Sequence, residues 1–199
     1  MGKYFGTDGF RGEANVGLTV NHAFKVGRFL GHYYGKDHKA KIVIGKDTRR
    51  SSYMFEYALA AGLTASGADA YLLHVTSTPS VSYVARTEEF DCGIMISASH
   101  NPFTDNGIKI MDANGAKMGD EFLEKIEDYI DRGTDDLPLA QGADIGETQD
   151  YVFGRNRYIG YLISTVHRSF KGKRIGLDCA IQKNLLKKIS QLLSEADKN

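Results

Sequence analysis

KIVIGKDTRRSSYMFEYALAAGLTASGADAYLLHV, residues 41–75, is the stretch on which the fold turns. Residues 41–45 (KIVIG) are short, apolar and β-branched, the composition of a buried strand. Ser51 or Ser52 then opens a helix that Gly67 closes, and residues 70–75 read as a second strand. Strand, polar loop, helix and strand make one α/β unit. The unit repeats downstream, because residues 79–88 predict a helix that starts on Pro79 and residues 92–97 predict another apolar strand. Alternation of this kind places helices over both faces of a mainly parallel sheet.

Working outward, Thr19 can cap a helix over residues 20–34, with Phe24, Gly27, Leu30, Gly31 and Tyr34 near one face and Gly35 at its end. Asn114-Gly115 sits between residues 107–112 and 116–118 as the turn of a tight hairpin, expected to form an antiparallel appendage. Residues 120–131 predict a helix with Phe122, Leu123, Ile126 and Ile130 on its apolar side, closed by Gly133. The mixture of Gly, Asp and Pro138 in residues 134–146 reads as a linker, after which Thr148 caps a long helix ending near His167. Residues 173–177 look like the first strand of a new unit, and residues 183–193 like a helix behind it. The expected architecture is thus α/β: a three-layer α/β/α domain with a mainly parallel mixed sheet over residues 1–146. The first strand and helices of an incomplete second α/β domain follow over residues 147–199.

Composition narrows the function classes. With 42% hydrophobic and 25% charged residues and no low-complexity tract, this is an ordinary globular chain. Lys plus Arg equals Asp plus Glu at 25 each, so no global field draws it to nucleic acid or to an anionic membrane, and neither is expected as a partner. The opening MGKYFGTDGF has no apolar core for a signal peptide, and no stretch approaches the roughly 20 apolar residues of a membrane span, so a cytoplasmic location is expected. Cys92 and Cys179 show no metal or disulfide spacing.

Three glycine- and serine-rich loops could carry chemistry: FGTDGFRG (residues 5–12), GKDTRRSS (45–52) and ISASHNP (96–102). The last two follow expected strands, and loops beyond the carboxyl ends of parallel strands converge on the edge where such sheets bind ligands. Gly6, Gly9 and Gly12 permit close approach to an anion, and Arg11 offers a bidentate phosphate ligand. Phosphate is therefore the expected ligand chemistry. Nucleotide loops do not account for the motifs, since Gly45-Lys46 lacks an upstream glycine and no GxGxxG occurs. Ser99 and His100 are sequence neighbours, which ordinarily point apart, so they are not read as a catalytic dyad. Without its motif Ser99 would be a strand-end turn residue, and Lys109 a solvated lysine. Arg49 and Arg50 are open between pairing with acidic neighbours and guiding phosphate. Asn101 and Pro102 suit a role in shaping the loop.

FGTDGFRG, GKDTRRSS and ISASHNPFTDNGIK, in that order, resemble the α-D-phosphohexomutase family, and the likeness runs from about Tyr4 to Ala180. RYIGYLISTV (residues 157–166) and the placement of FGTDG favour the branch that acts on glucosamine phosphates. The resemblance implies that Ser99 holds the transferred phosphoryl group and that Lys109 and Arg11 are its acid/base and electrostatic partners. It implies that His100, Arg49 and Asn101 bind phosphate or substrate, and that Mg2+ takes a phosphate oxygen on Ser99. It also implies a hexosamine or hexose phosphate as substrate, with the phosphate moved through a bisphosphate intermediate.

The sequence departs from that family at identifiable places. The resemblance covers the first of four family domains and the opening of the second; no DGDGDR-type metal loop and no GExSG sugar loop occur. From Ile181 the chain runs IQKNLLKKISQLLSEADKN where the family continues with asparagine, glycine and small residues. That tail is helix-prone, with an apolar set that could cover a strand or self-associate. The expectation is the N-terminal part of a mutase, inactive alone; the alternative is a non-catalytic sugar-phosphate-binding or interaction module built on the same fold.

Overall fold

The computed structural model describes residues 2–167, 171, 172, 174 and 176. Seven strands form one mixed sheet: β1 (Phe5–Gly6), β2 (Gly9–Glu13), β3 (Lys41–Lys46), β4 (Asp69–Val75), β5 (Cys92–Ile96), β6 (Asp105–Asp112) and β7 (Thr148–Asp150), in the order β1-β2-β6-β5-β3-β4-β7. β5, β3, β4 and β7 are mutually parallel, while β6 runs antiparallel between β5 and β2. Five α-helices, α1 (Val20–Tyr34), α2 (Arg50–Ala65), α3 (Thr78–Thr87), α4 (Asp120–Asp131) and α5 (Val152–Ser164), and one 3-10 turn (Gly142–Asp144) complete the described part.

Side-chain alternation sorts the sheet into two faces. Ile42, Ile44, Ile94, Ile96, Ile108 and Ile110 bury one face with residues of α1, α2 and α4. Val43, Leu73, Met95 and Met111 bury the other with Val81, Val84 and Ala85 of α3, on which α5 also packs. The α/β sandwich expected from residues 41–75 is therefore present. Thr19 caps α1 as read, its Oγ accepting from the His22 N–H at 3.3 Å, and His22 Nδ1 accepts in return from the Thr19 N–H at 3.2 Å. α1 crosses α2 at two glycines: a Cβ on Gly27 would lie 2.4 Å from the Leu59 carbonyl oxygen, and one on Gly62 2.2 Å from that of Phe24.

Four local expectations need correction. α2 starts at Arg50, with Arg49 at its N-cap, because Asp47 Oδ1 accepts from both the Arg49 N–H and the Ser52 hydroxyl and so takes over the capping work of Ser51 or Ser52. β6 is no appendage; it pairs along both edges, and the Asn114-Gly115 turn leads only to a single bridge, Met111 with Lys117. Thr148 does not cap a helix: the free edge of β4 captures it as β7, bracketed by Ala70 N–H to Glu147 O and Tyr151 N–H to Leu72 O, each 2.8 Å. The helix begins only at Val152. Residues 134–146 are no free linker either, for the fully buried Arg28 binds Asp135 at 2.9 Å and the carbonyls of Leu137 and Pro138. One compact unit runs to Ser164, so the boundary expected after residue 146 falls inside it. The strand and helix expected at 173–177 and 183–193, and the tail from 181, lie outside the described residues.

Candidate active site

β5 delivers its chain to the carboxyl edge of the parallel half, and there the backbone turns sharply. Ser97 keeps the last ladder contact, its N–H bonded to the Gly107 carbonyl at 2.9 Å, and its Oγ accepts from the Ser99 N–H at 3.0 Å. Ser99 is exposed and adopts φ +57°, the left-handed region that a non-glycine residue enters at a cost of about 1–2 kcal/mol. That twist brings Ser99 Oγ to 3.4 Å from His100 Nδ1. Sequence neighbours were expected to diverge; they approach because Ser99 is left-handed, though 3.4 Å is long for a hydroxyl hydrogen bond.

The loop is held from below by Arg49, which is 3% exposed. Its Nε donates to Asp47 Oδ2 at 3.0 Å. Nη1 donates to the carbonyls of Pro102 and, at 3.1 Å, Asp105, and Nη2 to those of Ser99 and Asn101, both at 2.9 Å. These contacts engage all five guanidinium N–H groups. Of the two roles left open for Arg49, this geometry is that of a clamp on the loop, paired with Asp47. Asn101 also serves the loop: its Nδ2 donates to Asp105 Oδ2 at 3.0 Å and its Oδ1 accepts from Arg11 Nη1 at 3.3 Å.

The first glycine-rich loop reaches the same place as a β1–β2 hairpin laid against β6. Arg11 is opposite Gly107, and a Cβ on Gly107 would come within 3.1 Å of Arg11 Cγ, so the glycine gives the arginine stem its path across the sheet. Gly9, at φ +98°, does the same for Lys109, whose Cγ would lie 3.0 Å from a Cβ there. Lys109 is two residues along β6 from Gly107, which puts it on the same face as Arg11. Arg11 Nη2 donates to the exposed Asp8 at 2.9 Å, while its buried Nε has no partner. A cavity of about 400 Å³ opens beside Lys109, lined by Asp8, Gly9, Thr78, Ser82 and others.

Arg11 and Lys109 therefore share one face of the sheet, and Arg11 reaches the Ser99 loop through Asn101. Sequence reading missed the polar support behind them. Asp47 orients Arg49, Ser52 bonds Asp47 at 2.7 Å, and Asn106 Nδ2 bonds the hydroxyls of Ser51 and Ser52 at 2.9 Å while its Oδ1 receives the Gly107 N–H. The available signal was the Asp47–Arg49 spacing inside GKDTRRSS; nothing marked Asn106 as buried. The residues present do not fit a magnesium site on their own. Among the described residues no three His, Cys, Asp or Glu side chains are grouped so that they could hold a metal ion, and Ser99 would offer a single phosphate oxygen.

Residues 2–136 match the sequence family described as phosphoglucomutase/phosphomannomutase, alpha/beta/alpha domain I. The chain belongs to the phosphoglucomutase/phosphomannomutase family. It is 72% identical over 180 residues to a phosphoglucosamine mutase of Lachnoclostridium phytofermentans, covering 90% of this chain and 40% of that protein. A phosphoglucosamine mutase of Bacillus cytotoxicus is 49% identical over 181 residues, with the same coverage. The chain thus spans about 40% of the length of the curated relatives it matches. The sandwich itself recurs in a phosphoglucomutase/phosphomannomutase family protein of Burkholderia thailandensis, with TM-score 0.67 and 23% identity over 82% of this chain and 36% of that one. At that identity the likeness speaks to the fold.

Proposed function

We propose that this chain carries the phosphoseryl centre of a phosphoglucosamine mutase, with Ser99 as the group that passes a phosphoryl between positions of glucosamine phosphate. The observation that carries the reading is an exposed serine in a strained turn whose loop Arg11 contacts at Asn101, with Lys109 on the same face of the sheet as Arg11. Strain of this kind gathers at functional sites, where the surroundings hold it in place. The Arg11 side chain stays 21% exposed, so its guanidinium can reach an incoming phosphate.

In the reaction so assigned, a sugar hydroxyl oxygen bonds to phosphorus as the bond from phosphorus to Ser99 Oγ breaks, while the Lys109 ammonium gives a proton to Ser99 Oγ and takes up the one the hydroxyl sheds. The bisphosphate turns around. Ser99 Oγ then takes the other phosphoryl group, and the departing sugar oxygen recovers the proton. Arg11 offsets the negative charge that spreads over the transferring group, which is the main demand of phosphoryl transfer. Ser99, once phosphorylated, would offer one oxygen to a magnesium ion, whose charge would help neutralise the group in transfer. His100, within reach of Ser99 Oγ, is assigned to the phosphate as a hydrogen-bond donor.

The test is phosphoryl uptake. Incubated with glucosamine 1,6-bisphosphate, the chain gains one phosphoryl group by intact mass, and peptide mapping places it on Ser99. Ser99→Ala takes up none. Uptake that survives Ser99→Ala overturns the assignment, and tight binding of the bisphosphate without uptake in the parent chain marks a binding module instead.

A further inference from the structure

We propose that Arg49 is a positioning residue for transfer at Ser99, acting through loop geometry and not through its charge. The inference rests on Ser99 being the phosphoryl carrier. Four carbonyls from a seven-residue span, those of Ser99, Asn101, Pro102 and Asp105, converge on one guanidinium. Carbonyls turned inward like this would be left unpaired without it. The loop is therefore wrapped around the planar fork, and Ser99, at the first of the four contacts, takes up the left-handed conformation that the wrapping requires.

The charge of Arg49 is already answered. Asp47 holds the Nε edge at 3.0 Å, is fixed by Ser52, and is itself largely shielded from solvent, so the site receives a neutral pair. A group that shapes the acceptor without touching the ligand should change the rate of transfer more than the affinity for the donor. Lysine cannot replace it, for an ammonium is a point donor with three N–H groups and cannot span four carbonyls and a carboxylate.

Arg49→Lys and Arg49→Ala are made in the full 199-residue chain, along with the milder Ser52→Ala, which removes one bond to Asp47 and one from Asn106 Nδ2. Expected for both Arg49 variants are lost hydrogen-exchange protection across the 97–106 loop and phosphoryl uptake from glucosamine 1,6-bisphosphate slowed roughly 100-fold at saturating donor. Half-saturation should move less than about threefold if binding is spared. Guanidinium restores Arg49→Ala and methylammonium does not; Ser52→Ala slows uptake several-fold. Uptake by Arg49→Lys at the parent rate, or equal rescue by methylammonium, overturns the proposal. If the Arg49 variants do not fold, an unchanged rate in Ser52→Ala overturns it. Should the parent take no phosphoryl group at all, the functional reading fails, and the positioning claim is judged by loop exchange alone: protection kept in Arg49→Lys refutes it.

Discussion

Ser99 combines the reactive hydroxyl with a backbone conformation that suits glycine. Replacing it by glycine should relieve about 1–2 kcal/mol of strain and give back part of that as added freedom of the unfolded chain. The expected outcome for Ser99→Gly is a stability gain of about 0.5–1 kcal/mol, a rise in Tm of about 1–4 °C by calorimetry, with phosphoryl uptake abolished. A serine retained where glycine is more stable trades stability for the hydroxyl. At this scale the sequence was informative where a motif names a residue and uninformative where a partner is distant. Ser99, Arg11 and Lys109 could be singled out from their motifs, and Arg11 and Lys109 lie on one face. Arg49 could not be assigned, because four of its five contacts are to carbonyls about 50 residues away, and a carbonyl belongs to every residue type. Asn106 was silent because the two hydroxyls its amide bonds lie on α2, more than 50 residues away.

Among the elements, α1 has a capping box whose reciprocal acceptor is His22 in the place usually taken by Glu or Gln. Burial holds the His22 imidazole below its ordinary pKa, and the neighbouring charge of Lys25 adds to this against a smaller opposing effect of Asp131. The neutral ring is the one that can accept from Thr19. Since the folded pKa is depressed, the unfolded chain binds the proton more readily. The contribution is therefore complete above about pH 6.5 and is lost as pH falls through the lowered value. His22→Gln keeps an acceptor that does not titrate. Denaturant melts at pH 7.5 and pH 5 should show the parent losing more stability than His22→Gln, by up to about 1 kcal/mol, the typical worth of a cap. Elements defined by their own residues were legible: α1, α4 and the strands of residues 41–75 and 92–97 fall within a residue or two of their expected limits. Thr148 misled because its cap signal is local, whereas its strand conformation is imposed by the open edge of β4. β6 misled because an antiparallel turn says nothing about what pairs on the strand's other side.

For the molecule as a whole, the strap of residues 134–146 ties the sheet edge at β7 to the α1–α2 layer. Burial acts to raise the Asp135 carboxyl, but hydrogen bonds from Arg28 and Tyr129 prevail and leave it below the usual carboxylate range. Asp135→Asn should cost about 1–2 kcal/mol at neutral pH. That is less than the about 3–5 expected for breaking a fully buried pair, because the Asp135 side chain is 31% exposed. The gap between the two proteins should hold above about pH 4 and close as pH falls through the depressed value, and limited proteolysis should cut the variant faster within the strap. The reach of this strap could not be read from composition, since glycine, aspartate and proline mark a loop without saying whether a buried arginine holds it. The sheet order also has a consequence in time. β2, which carries Arg11, pairs along its inner edge only with β6, so the N-terminal hairpin has no sheet to join until the ribosome has made residue 112. At roughly 5–20 residues per second that is a wait of about 5–20 s, during which Phe5 and Phe10 lack the Ile108 side of their core. The strand that carries Arg11 is made well before β6 yet docks only after it. A nascent chain stalled before β6 should thus be a better chaperone substrate than one stalled just after it.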